Sequence, residues 1–160
     1  MEIKLLKEDD PELREVSEPW NFETDGDPTE LVKAMTKIMF ESGGIGLAAP
    51  QCGVKKRIFL MGNQEKLIVC INPEILESSG ENRAQEGCLS FPKLWLTVKR
   101  PETVKVKYQQ LSGNVVEQEL GDLPSRVFQH EFDHLNGICF DTKVAKLGLQ
   151  LAKERRKRKG

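Results

Sequence analysis

The chain has 160 residues, 38% of them hydrophobic and 31% charged, which predicts one soluble globular domain with a modest core. No apolar run is long enough to span a bilayer, and the opening residues, with Lys4, Lys7, Glu8, Asp9 and Asp10, do not read as a signal peptide, so a cytoplasmic protein is expected. The net charge of −1 is unevenly placed: the last eight residues hold six basic groups and one acid, so a domain over 1–152 is expected to end in a basic tail over 153–160.

The first helix signal is Asp27-Pro28-Thr29-Glu30, with Asp27 at the N-cap, Pro28 in the first helical position and Glu30 at N3. Leu31, Met35, Ile38 and Met39 follow at helical spacing, and Gly43-Gly44 ends the run. The small-residue segment Gly44-Ile45-Gly46-Leu47-Ala48-Ala49-Pro50-Gln51 reads as a loop whose backbone can approach a ligand, with Gln51 as an amide donor. It reads equally as a plain helix-to-strand connection with Gln51 in solvent. Partial alternation predicts strands at 57–61, 67–71, 95–99 and 104–108, and the turn Leu111-Ser112-Gly113-Asn114 leads to another at 115–120.

A second helix is predicted from about Pro124 to Asn136-Gly137, with Phe128, Phe132 and Leu135 as its core stripe. A last helix is expected from about Val144 into the basic end, with Val144, Leu147 and Leu151 on its apolar side and Gly148 weakening its interior. Short strands around one central helix predict an α+β domain.

The chain's only two histidines lie on that central helix, in Gln129-His130-Glu131-Phe132-Asp133-His134. Residues at i and i+4 share a helix face, so both imidazoles can reach one metal ion with Glu131 beside it. Two histidines leave a third ligand to be found. Cys52, Cys70, Cys88 and Cys139 show no paired spacing of a disulfide framework. Cys88 stands out in Gln85-Glu86-Gly87-Cys88-Leu89-Ser90, where Gly87 permits a bend that aims a thiolate and frees the Leu89 N–H; on spacing alone it is either a ligand or a small buried hydrophobe. The other three cysteines are expected to be buried thiols. Asp133 is expected to orient a ligand or to bridge to Arg100 or Arg126.

Taken together, GIGLAAPQ at 44–51, EGCLS at 86–90 and QHEFDHLNG at 129–137 resemble, in order and spacing, the three signature motifs of the peptide deformylases. The resemblance extends more weakly from Asp10 to Phe140. It implies a catalytic domain in which short, mostly antiparallel β-sheets surround the central HExxH helix, followed by a C-terminal helix. It also implies removal of the N-formyl group from the formylmethionine of nascent polypeptides, with release of formate. By position, Cys88, His130 and His134 would bind one divalent metal, naturally Fe(II), though zinc, nickel or cobalt can occupy such a site. Glu131 would be the general acid/base for attack by metal-bound water, and Gln51 with the Leu89 N–H would stabilise the oxyanion.

Ile45, Leu123 and Val127 are candidates for an apolar substrate pocket, each equally a plain core residue. The backbone at Ile45–Gly46, and Gly87 opposite, could hold a substrate strand. Trp95 stands where many relatives carry an arginine that contacts substrate. In such relatives the C-terminal helix docks on the ribosome, a role open to the 153–159 cluster through phosphate contacts; neither a membrane nor a sequence-specific nucleic-acid partner is expected. HExxH by itself would equally fit a metalloprotease, which the Cys88 loop argues against.

Overall fold

The Asp27 carboxylate starts the first helix from one residue further out than its spacing predicts. In the computed structural model, which describes residues 1–159, α1 runs Thr29–Glu41 with Pro28 at the cap. Asp27 accepts hydrogen bonds from the Thr29 N–H (3.0 Å), an orphan donor of the first turn, and from the Thr29 hydroxyl (2.6 Å). Leu31, Val32, Met35 and Met39 are buried, and Gly43, at φ 71°, makes the left-handed exit.

The strands are β1 (Gly46–Ala48), β2 (Ile58–Gly62), β3 (Leu67–Ser79), β4 (Asn82–Cys88), β5 (Phe91–Arg100), β6 (Thr103–Gln109) and β7 (Val115–Leu120). One antiparallel sheet has the order β1-β2-β3-β6-β7, and β4 and β5 form a separate antiparallel hairpin. Side chains alternate across β2, so its two faces serve two cores. Ile58 and Leu60 pack with Met35 and Met39 of α1. Phe59 and Met61 join Phe128 and Leu135 of α2 (Asp122–Leu135), with Phe59 edge-to-face on Phe128 at 4.9 Å. A third core gathers Phe91, Leu94, Leu96 and Val98 of β5 with Leu13, Phe140 and Ala152 of α3 (Lys146–Lys159).

α2 is the expected central helix, its Phe128 and Leu135 fully buried and Phe132 packed beside them. Arg57 donates to the Leu135 carbonyl (3.0 Å) and to Asn136 Oδ1 (3.0 Å), satisfying groups at the helix end. The chain then turns at Gly137 (φ 72°), where any Cβ would lie 2.6 Å from the Arg14 carbonyl oxygen. The α+β architecture thus matches expectation, and none of the described helices is long and apolar enough to cross a membrane.

Three local expectations are corrected. β4 lies where no strand is predicted, because Asn82-Arg83-Ala84-Gln85-Glu86 lacks apolar alternation; pairing with the long, alternating β5 makes it a strand. The segment expected to be a loop contains β1, a short edge strand on β2. The last helix begins at Lys146, after Val144, and turns Leu149 and Ala152 toward the third core while Leu147 and Leu151 are exposed. Arg156 lies on the inward side and pairs with Glu8 at 2.6 Å, so the helix face is set by an ion pair as well as by apolar burial. Residues 153–159 belong to α3, as expected of a helix that runs into the basic end; Gly160, the last residue of the expected tail, lies outside the described residues.

Candidate active site

Two local devices aim the residues of this site. Helical spacing puts His130 and His134 on one side of α2, with ring centroids 5.1 Å apart. The irregularity between Glu86 and Cys88 at the end of β4 turns the Cys88 side chain toward them, its Sγ 3.4 Å from His134 Nε2. The ligand atoms of Cys88, His130 and His134 all lie within 4.8 Å of one another, the one such group of three among the described residues.

The donor chemistry fits a divalent ion. His130 Nδ1 is engaged by Glu86 Oε1 at 2.9 Å, which leaves Nε2 for a ligand. His134 is buried, and its Nδ1 has no hydrogen-bond partner. Burial and the neighbouring His130 hold the His134 pKa well below the ordinary imidazole value, so it stays neutral, as a ligand must be. Burial alone would lower His130 too. Hydrogen bonds with Cys88 and Glu86, and the charge of Glu131, instead push it up to about 10. The surroundings are therefore strongly negative, and a divalent cation satisfies such a field as a proton does. Bonds of about 2.0–2.3 Å from one ion to two nitrogens and a sulfur suit donors this close together.

Glu86 is the residue that sequence reasoning missed. Its carboxylate is buried, yet hydrogen bonds from His130 and Arg100 hold it ionised down to about 2 against the cost of burial. Arg100 donates through Nε (2.6 Å) and Nη2 (3.0 Å), and Arg126 through Nη1. Arg126 is fixed in turn by the Val98 and Asn82 carbonyls (2.9 and 2.8 Å). Asp133 bridges to Arg100 at 2.9 Å, choosing between the two arginines expected for it. The only sequence hint was an acid two residues before the candidate cysteine; its partners lie 14, 40 and 44 residues away.

Glu131 is buried with Oε1 unpartnered, and burial pushes its pKa up to about 7. An unsatisfied buried carboxyl is costly for a fold and useful for moving protons near neutrality. Gly46 backs directly onto it: a Cβ there would lie 2.5 Å from Glu131 Oε2 and 3.0 Å from Val127 Cγ1. Only glycine allows β1 this close.

Gln51 is not in solvent but 1% exposed, in the turn after β1. Its Oε1 accepts from the Ala48 N–H (2.9 Å), which orients Nε2 to donate to Ser90 Oγ (3.1 Å) and toward Cys88 Sγ (3.6 Å). Leu89 follows Cys88 in the β4–β5 turn, and its side chain fills the space over Gly44, where a Cβ would sit 2.6 Å from Leu89 Cδ1.

A cavity of about 580 Å³ opens over these groups. Gln51, Cys88, Leu89, His130 and Glu131 line it, whereas His134 lies beneath. The substrate candidates Ile45, Gly46, Gly87, Leu123 and Val127 all line it as well, and Val127 also packs in the second core. Val127 is buried, while Ile45 and Leu123 are 50% and 59% exposed. The other three thiols stand apart, buried in the cores, and desolvation raises Cys52 and Cys139 to about 12 and Cys70 well above its usual value.

Comparison with known proteins finds one family. Residues 3–150 match the family model described as polypeptide deformylase. The peptide deformylase of Thermotoga neapolitana is 44% identical over 136 residues, covering 84% of this chain and 82% of the relative. The crystal structure of a peptide deformylase from Synechococcus elongatus in complex with actinonin superposes with a TM-score of 0.90 at 34% identity, over 97% of this chain and 86% of that one. A Met-Ala-Ser-bound class I type b peptide deformylase from Acinetobacter baumannii gives 0.84 at 35% identity, over 90% of this chain and 99% of that one.

Proposed function

The chain belongs to the polypeptide deformylase family, hydrolases that remove the N-formyl group from nascent peptides, and on that premise we propose how its own residues perform the reaction. The reading rests on one observation: the unpartnered Glu131 carboxyl opens beside Cys88, His130 and His134 into a cavity wide enough for a peptide end.

Cys88, His130 and His134 would hold a divalent ion, which when bound supplies Lewis acidity, acidifying a water and polarising the formyl oxygen. A thiolate with two imidazoles accepts zinc, nickel, cobalt or iron, and the family resemblance favours Fe(II) in the cell. Glu131 takes the proton of the attacking water as the new C–O bond forms at the formyl carbon. It then delivers that proton to the amine as the C–N bond breaks, leaving formate and a free N-terminus. The Gln51 amide and the Leu89 N–H donate to the oxyanion between these events. Gln51 suits this task because its own oxygen is already tied to Ala48, so its NH₂ cannot turn away. The formylmethionine side chain would enter beside Val127, and the peptide backbone would pair with the free edge of β1 at Ile45–Gly46 and pass Gly87.

Formylated nascent chains emerge at the ribosome, so the proposed substrate places the enzyme with it in the cytoplasm. The exposed basic residues at the end of α3 offer phosphate contacts there. Ribosome co-sedimentation that weakens steeply with salt and with removal of residues 153–160 tests that contact. The reaction itself is tested by formate release from a formyl-Met tripeptide after anaerobic purification and metal analysis. Metal-loaded protein that releases no formate, or that instead cleaves unformylated peptides, overturns the reading.

A further inference from the structure

Trp95 is the only aromatic side chain among the described residues that is largely exposed, at 56%. Alternation along β5 buries Leu94 and Leu96 in the third core and turns Trp95 outward, into the wall of the active-site cavity. Its position is built rather than incidental. The six-membered ring lies where a side chain on residue 87 would be: a Cβ on Gly87 would meet Trp95 Cζ3 at 2.6 Å, Cη2 at 3.0 Å and Cε3 at 3.1 Å. One face of the six-membered ring thus lies over the Gly87 backbone beside Cys88, and more than half of the side chain stays exposed.

Depth in the cavity sorts the lining residues. Glu131 and Val127 are buried next to Gly46, so the formyl group and the residue bearing it belong at that end. Ile45, Leu123 and Trp95 are the large exposed hydrophobic side chains of the same cavity, so the peptide residues after the methionine pass among them. A large aromatic plane backed on one face by Gly87 gives a side chain a stacking surface on the other at little entropic cost.

We propose that Trp95 is a specificity-determining residue whose open ring face stacks on a side chain downstream of the formylmethionine, favouring peptides with an aromatic residue there. The inference rests on the deformylase reading above. Aromatic stacking contributes enough for a preference of about 3- to 10-fold over alanine, expressed mainly in KM because the contact is made equally in ground and transition states.

The test measures formate release by the metal-loaded enzyme from formyl-Met tetrapeptides carrying Phe or Ala at the second or third position. The expected result is a Phe preference at one of these positions, abolished in Trp95→Ala through a rise in KM for the Phe peptide and largely kept in Trp95→Phe. As a readout without turnover, the deformylated Phe product should change tryptophan emission in the native enzyme but not in Trp95→Ala, where only Trp20 remains. A native enzyme with no preference, or a preference unchanged in Trp95→Ala, overturns the proposal while leaving the deformylase reading intact. Absence of formate from every peptide overturns both.

Discussion

Replacing Glu86 with glutamine probes the support beneath the metal ligands without touching them. The carboxylate takes two hydrogen bonds from Arg100, one from Arg126 and one from His130, all in a buried setting. Glutamine keeps the shape and one acceptor oxygen, but its NH₂ must face a guanidinium or the His130 N–H, donor against donor. Two arginines then lose their shared counter-charge, although Arg100 keeps Asp133 and Arg126 keeps two carbonyls. Removing one partner from a buried charge cluster costs about 3–5 kcal/mol. For a chain of this size that corresponds to a fall in Tm of about 6–20 °C. Loss of the acceptor that fixes His130 should separately weaken metal binding by about 10- to 100-fold.

Calorimetry in the presence of a chelator measures the first quantity, and chelator competition on folded protein at low temperature measures the second. Arg126→Met is the control, since it disturbs the same cluster but leaves the Glu86–His130 contact in place. It should lower Tm yet change metal affinity much less. A Glu86→Gln protein with native Tm and native metal affinity would refute the reasoning, and equal loss of affinity in both variants would reduce Glu86 to a purely structural role.

Glu131→Ala should retain the metal and lose turnover by at least about 10²–10⁴-fold, measured as formate release per bound ion. Cys88→Ser should lose metal on dialysis, read by elemental analysis, because a hydroxyl is a poor ligand where a thiolate stood. Gly46→Ala should fold, since β1 is a short edge strand, but force Glu131 or Val127 aside. The expected outcome is a drop in kcat with little change in Tm, and native kcat would show that the Glu131 position is not constrained by β1. Gln51→Leu should cost roughly 10²–10³ in kcat with metal content intact.

The features legible in the sequence are those that depend on near neighbours. His130, Glu131 and His134 are fixed by helical period, and the same period places Phe128, Phe132 and Leu135 against the sheet. Asp27 engages the first turn of its helix from within two residues, although one position further out than the pattern places it. Cys88 is ambiguous from spacing because its orientation comes from an irregularity in β4, a strand with no apolar pattern of its own. Gln51 cannot be placed from its neighbours, because its burial depends on Ser90 and Cys88, 39 and 37 residues away. The inward face of α3 escapes the pattern because Leu147 and Leu151 offer as good a stripe as Leu149 and Ala152, and the choice rests with distant partners such as Glu8.

The same distinction explains why the ion cluster exists at all. Each piece of the site is anchored in a different core: Ala49 and Cys52 around Gln51 in the first, Phe128 and Leu135 of α2 in the second, Cys88 and the hairpin in the third. No described core joins side chains of β5 directly to those of α2; the aromatic link between them runs through Phe140, edge-to-face with His130 at 5.5 Å and with Phe91 of β5 at 5.3 Å, and such contacts fix distance more loosely than hydrogen bonds do. Glu86 on β4, Arg100 on β5, and Arg126 and Asp133 on α2 bridge that gap with directional bonds. Apolar replacement of a buried ion cluster can preserve stability, since packing compensates for lost charge pairs. It would not restore a fixed distance between Sγ and the imidazole nitrogens, because packing carries no comparable directionality. Metal affinity should therefore fall in such a variant even where Tm is kept, and that dissociation of affinity from stability is what marks the cluster as a frame for the site.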